Sequence, residues 1–183
     1  MRGIKDLIYR YRHNRGFGVQ SPYAFHFVTS VVAEKHCYYA YPSINSAAAK
    51  CGCKAAYARM LFRIVNYARP QSIMTYAPCE AAVCALSMAR PSAPVSAFRQ
   101  GQPFGLLYVG EAPESLSVVR QAIECASQDS VIIVETKRHS REIENFWREI
   151  KQNPAVAVTF DLYSMGVLFF DRSYKKQHYT LKK

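Results

Sequence analysis

The stretch Val131-Ile132-Ile133-Val134 decides the fold class. Its four apolar residues follow one another with no polar alternation, which is typical of a strand that helices cover on both faces of a parallel sheet. Leu106-Leu107-Tyr108-Val109 has the same character, and residues 72–76 form a short buried strand candidate. The segments at 81–89 and 113–127 lie between or beside these strands and are predicted to be helices. The centre of the chain therefore alternates strands and helices.

Beyond Val134, a helix is predicted over residues 141–151, and after it the pattern changes. Residues 156–163 and 167–170 are strand candidates that flank a turn at Met165-Gly166, so they are predicted to form a β-hairpin. Alternation followed by a terminal hairpin predicts an α/β fold. We expect a Rossmann-like, mostly parallel sheet in a three-layer sandwich, with antiparallel strands added at the end.

The first third of the chain is predicted to be helical. Residues 3–12 carry apolar side chains at helical spacing, and the glycines at 13–18 predict a turn after them. Ser21-Pro22 is typical of a helix start, because it combines a capping hydroxyl with a first-turn proline. A third helix is predicted over residues 46–67. Two or three helices should therefore pack against the sheet.

The composition agrees with one globular domain over residues 1–183, made of a helical segment at 1–67 and a sheet core at 68–183. Hydrophobic residues make up 50% and charged residues 20%, which excludes a disordered chain. No apolar run approaches the roughly 18 residues of a membrane span, and the N-terminus lacks a signal-peptide pattern, so we expect a cytoplasmic protein. The six cysteines are then expected to be free thiols.

The net charge of +11 favours polyanionic partners. Much of the excess lies in basic residues near the two ends of the chain. Two interpretations stay open, namely solvated termini without a partner and binding of nucleic acid. No zinc-finger, helix-turn-helix or RNA-recognition signature supports the second interpretation.

Two stretches of the chain carry family-specific motifs. The first stretch reads Arg10-Tyr11-Arg12-His13 and Gly16-Phe17-Gly18-Val19-Gln20-Ser21-Pro22-Tyr23-Ala24-Phe25. The second stretch runs from Trp147 through Val158, Asp161-Leu162 and Gly166 to Phe169-Phe170, and closes with Gln177-His178-Tyr179. Both stretches resemble small bacterial methyltransferase-like proteins, often labelled O-methyltransferases and common in Bacteroidetes. The resemblance covers nearly the whole chain and implies the class I methyltransferase fold, with S-adenosylmethionine as the family's cofactor.

The first cofactor motif of that family is altered in this chain. In the family, the first strand runs into an acidic residue and a glycine-rich turn, because the backbone must pass close to the cofactor. Here the stretch reads Thr75-Tyr76-Ala77-Pro78-Cys79-Glu80-Ala81. Thr75 stands at the acidic position, and Ala77 and Ala81 stand at the glycine positions. Pro78 also removes an N–H donor.

Later positions depart from the family as well. Arg99 follows the strand candidate at 95–98, where relatives have an acid that accepts hydrogen bonds from ribose, and a cation cannot accept them. Residues 108–113 contain neither the Asp nor the His that relatives have. Glu135-Thr136 replaces paired acids, so no metal site is expected. Residues 89–106 are too few for two strands and a crossover helix, which need about 30. The sheet is therefore predicted to be truncated on the cofactor side.

Together these departures predict a methyltransferase-like protein that has lost S-adenosylmethionine binding and catalysis, and that acts as a binding or interaction module. The first alternative is an active S-adenosylmethionine-dependent O-methyltransferase that holds the cofactor atypically. The second is a basic nucleic-acid-binding protein. The residues expected to line the degenerate crevice are Tyr76, Cys79, Glu80, Arg99, Glu111, Glu135 and His139.

Two cysteine motifs have sharper alternatives. Cys79 falls where a strand turns into a helix, a position typical of reactive thiols, so it is a candidate nucleophile with His139 as a possible partner in space. Burial as a small, inert thiol is the competing interpretation. Cys51-Gly52-Cys53 is spaced too tightly for a typical zinc site, so a glycine-containing loop is favoured there.

The predicted truncation also creates a sheet edge. With the outer strands gone, the backbone near residues 72–76 or 95–98 is left without a neighbouring strand. We expect a partner chain, such as a second copy in a homodimer, or the N-terminal segment to cover this edge.

Overall fold

A computed structural model of the chain describes residues 21–136, 140–162 and 164–181. The helix predicted at 3–12, the turn at 13–18 and His139 lie outside these ranges. None of the helices in the described ranges is long and apolar enough to cross a membrane.

The described helical segment opens with α1, Pro22–Phe27, and its start agrees with the sequence prediction. The Ser21 hydroxyl accepts a hydrogen bond from the Ala24 amide over 3.5 Å, and Pro22 occupies the first helical position. The helix continues directly into a π-helical turn, Val28–Val32. Phe27, Val28 and Val31 are buried on its inner face.

The single helix predicted at 46–67 is wrong, because two helices occupy this region. They are α2, Tyr41–Lys50, and α3, Ala55–Ala68. Gly52 separates them with a φ of +68°, a left-handed conformation that ends a helix and favours glycine. The loop favoured for Cys51-Gly52-Cys53 is therefore confirmed.

The remaining elements alternate strands and helices before a final group of strands. The helices are α4, Glu80–Ala89; α5, Ser115–Glu124; and α6, Arg141–Gln152. The strands are β1, Ile73–Tyr76; β2, Val95–Ala97; β3, Leu106–Val109; β4, Val131–Glu135; β5, Val158–Asp161; β6, Met165–Phe169; and β7, Gln177–Thr180.

These strands form one sheet in the order β2-β1-β3-β4-β6-β5-β7. Strands β1 to β4 are parallel, β6 is antiparallel to both β4 and β5, and β7 is parallel to β5. The predicted mostly parallel Rossmann-like sheet is confirmed. Strand β7 was not predicted, because its four half-buried residues lack an apolar run.

Helices cover both faces of the sheet, which confirms the three-layer sandwich. On one face, Phe27, Leu61 and Leu86 from the first helices pack against strand residues such as Tyr108. On the other face, apolar residues of α5 and α6 pack against strand residues including Leu107, Ile132 and Leu168. The unbroken apolar run of β4 follows from this double coverage.

The predicted terminal hairpin is present as β5 and β6, but its turn was misplaced. Met165 and Gly166 lie inside β6, opposite Glu135 and Val134 of β4. Glycine is required at position 166 because the Trp147 ring packs closely against it, and not because the chain turns there. A Cβ at this position would lie 2.5 Å from the ring. Glycine in a strand often marks such a close approach.

The sheet is short on the side of β2, as predicted. Residues 98–105 connect β2 to β3 without a helix, and β2 is the last strand on that side. Of the two predicted edge positions, 95–98 is correct, whereas 72–76 is wrong because β1 lies between β2 and β3. All three residues of β2 are exposed.

Candidate functional site

The strand order places a candidate site at the carboxyl ends of β1 and β3. The chain passes from β1 to β2 on one side and then crosses to β3 on the other, so the order reverses at this point. Ligands of open α/β sheets bind in the crevice outside such a reversal. The loops that begin at Ala77 and Gly110 form the two walls of this crevice.

The two walls touch each other through their backbones. The Gly110 amide donates a hydrogen bond to the Tyr76 carbonyl oxygen over 2.8 Å. A Cβ on Gly110 would lie 2.0 Å from the carbonyl oxygen of Ala77, a separation that no real Cβ contact has. Glycine is therefore required at position 110, and protein backbone fills the space between the loops at this level.

Ala77 adopts a conformation that suits glycine. Its φ is +47°, in the left-handed region, where an L-residue with a Cβ is disfavoured by about 1–2 kcal/mol. The resemblance places a family glycine at this position. The chain thus keeps the glycine-type backbone while carrying an alanine.

A buried chain of hydrogen bonds lies beside this contact. The hydroxyls of Tyr57, on α3, and Tyr108, on β3, lie 3.0 Å apart. The Tyr108 hydroxyl donates to Oε2 of Glu135, at the end of β4, over 3.3 Å, and the Glu111 amide donates to the same oxygen over 3.3 Å. Tyr108 is fully buried and Glu135 is 8% exposed. The carboxylate therefore ties α3, β3 and β4 together.

Burial governs the protonation of both tyrosines. It raises the pKa of Tyr108 well above the usual tyrosine value, and the nearby Glu135 charge raises it further. Burial likewise raises the pKa of Tyr57, with additional contributions from Tyr108 and Glu135. Both phenols are neutral at physiological pH and act as hydrogen-bond donors. Neither can serve as a base there.

The sequence indicated Glu135 but not the tyrosines. From the sequence, Tyr57 is only one residue of a predicted helix, and Tyr108 only one residue of a predicted strand. One signal was present, because a buried tyrosine hydroxyl needs a partner. Position 108 lies in an otherwise apolar strand, which implies such a partner nearby.

The structure brings together some of the other predicted site residues. Tyr76 ends β1, and Cys79, which is half-buried, directly precedes α4. Glu111 has an exposed side chain, and its amide enters the hydrogen-bond chain. These residues lie at or just after the carboxyl ends of β1 and β3.

Two of the predicted site residues are exposed, and one is not described. Glu80 is exposed and lines a cavity of about 500 Å³ with Lys50 and Cys84, between α2 and α4. Arg99 is exposed, two residues beyond β2. His139 lies outside the described ranges. Within those ranges, no three His, Cys, Asp or Glu side chains are grouped to hold a metal ion.

Comparison with known proteins supports the fold. No protein-family model matches the chain, and no curated protein matches its sequence. The chain is similar to the structure of a methyltransferase from Geobacter sulfurreducens, with a TM-score of 0.56, 10% sequence identity, and coverage of 75% of this chain and 92% of that chain.

Two further structures are more distant. One is the O-methyltransferase TomG from Streptomyces achromogenes in complex with SAM, with a TM-score of 0.48, 10% identity, and coverage of 74% of this chain and 91% of that chain. The other is SAH-bound PaMTH1 from Podospora anserina, with a TM-score of 0.47, 8% identity, and coverage of 82% and 96%. The similarity to the Geobacter protein establishes that this chain has a methyltransferase-like fold.

Proposed function

We propose that this chain is a methyltransferase-fold protein that has lost S-adenosylmethionine binding and acts as a binding or interaction module. The observation that carries the proposal is the backbone contact between the loops after β1 and β3. The Ala77 carbonyl oxygen and Gly110 meet where the crevice of an open α/β sheet would admit a ligand.

The residues around this contact do not fit S-adenosylmethionine. Pro78 offers no N–H donor to a ligand in the β1 loop. Arg99 follows β2, where the family resemblance calls for an acceptor of ribose hydroxyls, and a guanidinium only donates. Residues 98–105 add no further strand beyond β2. The side of the sheet expected to hold adenosine is therefore both shortened and chemically altered.

The buried carboxylate of Glu135 has a structural role. Glu135 accepts hydrogen bonds from the Tyr108 hydroxyl and the Glu111 amide, so it holds the β3 loop against the end of β4. Such a carboxylate stabilises the loop arrangement that closes the crevice. This favours a rigid scaffold rather than a site that opens to admit a cofactor.

Calorimetric titration with S-adenosylmethionine and S-adenosylhomocysteine tests the proposal. We expect no saturable heat and no thermal shift at millimolar ligand. PaMTH1, which was solved with S-adenosylhomocysteine bound, serves as the positive control. Saturable micromolar binding to this chain would overturn the proposal and support the alternative of an active methyltransferase with atypical cofactor binding.

A further inference from the structure

A second cavity, of about 450 Å³, lies away from the crevice. It opens between α3, residues 32–36 and the residues that follow β5 and β7. Strands β5 and β7 are parallel to each other and antiparallel to β6, so this cavity lies at the same carboxyl edge as the crevice, beyond β4. Its volume is within the range of about 300–1,000 Å³ that is usual for small-molecule sites.

Two arginines on one face of α3 line this cavity, and both are held in place. The Arg63 Nε donates to the Val31 carbonyl oxygen over 2.7 Å, and its Nη1 donates to the Tyr41 hydroxyl over 3.1 Å. The Arg59 guanidinium lies 5.4 Å from the centre of the Tyr41 ring. Because their positions are fixed in advance, binding an anion costs little side-chain entropy.

The positive charge in the cavity exceeds the negative charge. Lys35 also lines the cavity, and Glu34 is the acidic residue among the lining side chains. Glu34 Oε1 accepts from the Lys35 and His36 amides over 2.7 Å each and contacts His36 Nδ1 at 2.6 Å. These backbone hydrogen bonds lower the pKa of Glu34, which stays ionised.

Among the residues that the structure describes, no carboxylate forms an ion pair with Arg59 or Arg63. Both are partly buried, where a guanidinium without a counter-ion attracts an anion more strongly than at the surface. The net charge of +11 adds a general attraction for anions.

The rest of the cavity wall is apolar. Met60, Leu162 and Leu181 line it together with the cationic side chains. We propose that this cavity binds a small organic acid, with its carboxylate on Arg59 and Arg63 and its apolar body against Met60, Leu162 and Leu181. A guanidinium suits this role because its N–H groups match the two oxygens of a carboxylate. The inference does not depend on whether the crevice holds a cofactor.

Titration of the full chain with octanoate, 1-octanol and octylammonium tests the proposal. The three probes share an apolar body and differ in the charge of the head group. We expect octanoate to bind saturably, about ten-fold or more tighter than octanol, and octylammonium to bind weakest. Methyl resonances of Met60, Leu162 and Leu181 should shift. Equal affinity for the three probes, no octanoate binding, or shifts elsewhere would overturn the assignment.

Single substitutions locate the head group. Arg59→Gln should weaken octanoate binding about ten-fold or more while leaving octanol binding unchanged. Arg148→Gln, an exposed arginine on α6, is the matched control and should leave both affinities unchanged. Lys35→Gln changes an exposed side chain, so it tests the same electrostatics even if Arg59→Gln fails to fold. Unchanged octanoate affinity in a folded Arg59→Gln, or in Lys35→Gln if the first variant is unfolded, would contradict the site.

Discussion

The indole ring of Trp147 lies directly on Gly166. A Cβ on Gly166 would stand 2.5 Å from Cζ2 and 2.6 Å from Cη2 of the ring. Trp147 is 7% exposed, and it belongs to α6, while Gly166 belongs to β6 in the middle of the sheet. The missing side chain at 166 therefore sets how closely α6 approaches the sheet.

Gly166→Ala should destabilise the protein by about 1–3 kcal/mol, the usual cost of adding a methyl group to a packed core. The free energy of unfolding in urea measures the effect. In a Trp147→Leu background, which removes the ring, the same alanine should cost much less. Additive effects of the two substitutions would mean that the ring is not what excludes a Cβ.

Substitutions at the closed crevice should have opposite effects. Ala77→Gly should stabilise by up to about 1.5 kcal/mol, because the relief of about 1–2 kcal/mol of left-handed strain outweighs the opposing cost of about 0.5–1 kcal/mol from the greater entropy of the unfolded chain. Gly110→Ala should destabilise by about 3 kcal/mol or more, since its Cβ meets a backbone carbonyl that cannot rotate away. Urea unfolding measures both changes. A stable Gly110→Ala variant would show that the loops separate readily and would weaken the proposed loss of cofactor binding.

The tyrosine–carboxylate chain predicts a loss of stability in alkali. The folded protein holds the pKa of Tyr57 and Tyr108 above the value of about 10 in the unfolded chain. The unfolded state therefore releases these protons first as pH rises. The contribution of the two buried phenols to the free energy of unfolding is fully present below about pH 10. Above that pH it falls, for each tyrosine, by up to about 1.4 kcal/mol per pH unit.

Tyr108→Phe should cost about 1–3 kcal/mol at neutral pH, because Glu135 loses a buried donor, and should flatten the fall above pH 10. Urea midpoints between pH 8 and 11 measure both effects. Tyr39→Phe, at an exposed tyrosine whose hydroxyl donates to the Met88 carbonyl oxygen, controls for the loss of a surface hydrogen bond; it should cost about 1 kcal/mol or less and leave the alkaline slope unchanged. An unchanged alkaline slope in Tyr108→Phe would contradict the prediction.

The exposed edge strand β2 predicts a partner. Pro94 and Phe98 bond to β1 through their backbones, so the amides of Val95 and Ala97 face away from it. We propose that a second copy of the chain pairs with this edge. Slow hydrogen exchange at these two amides, similar to that of Ser96, is the expected result. A monomer by sedimentation in which both amides exchange at the rate of an unfolded peptide would contradict the proposal.

The sequence predicted elements best where one physical signal dominates. The apolar runs of β3 and β4 allow little besides buried strands, and Ser21-Pro22 marks a helix start through local chemistry alone. Glycine positions were harder to interpret, because a glycine in the sequence can mark either a turn or a close packing contact. Gly52 ends a helix, whereas Gly166 makes room for a ring that is 19 residues away in sequence.

The candidate site was predicted only in part for a related reason. Glu135 and Tyr76 lie at strand ends, which the topology brings together, and the sequence pattern locates strand ends well. The bond between Tyr57 and Tyr108 joins residues 51 positions apart. No local pattern encodes such a contact, since it depends on how α3 lies across the sheet.

The pairing of β4 with β6, and not with β5, has a consequence for synthesis on the ribosome. Strand β4, whose five residues are all buried in the finished fold, leaves the ribosome before its outer neighbour β6, which is the second strand of the hairpin that follows. Until residue 169 has emerged, the partly made sheet presents β4 as an open, apolar edge, which is a site for aggregation. A nascent chain stalled before the hairpin is therefore a natural client for chaperones, whereas in one stalled after it β6 can cover this edge.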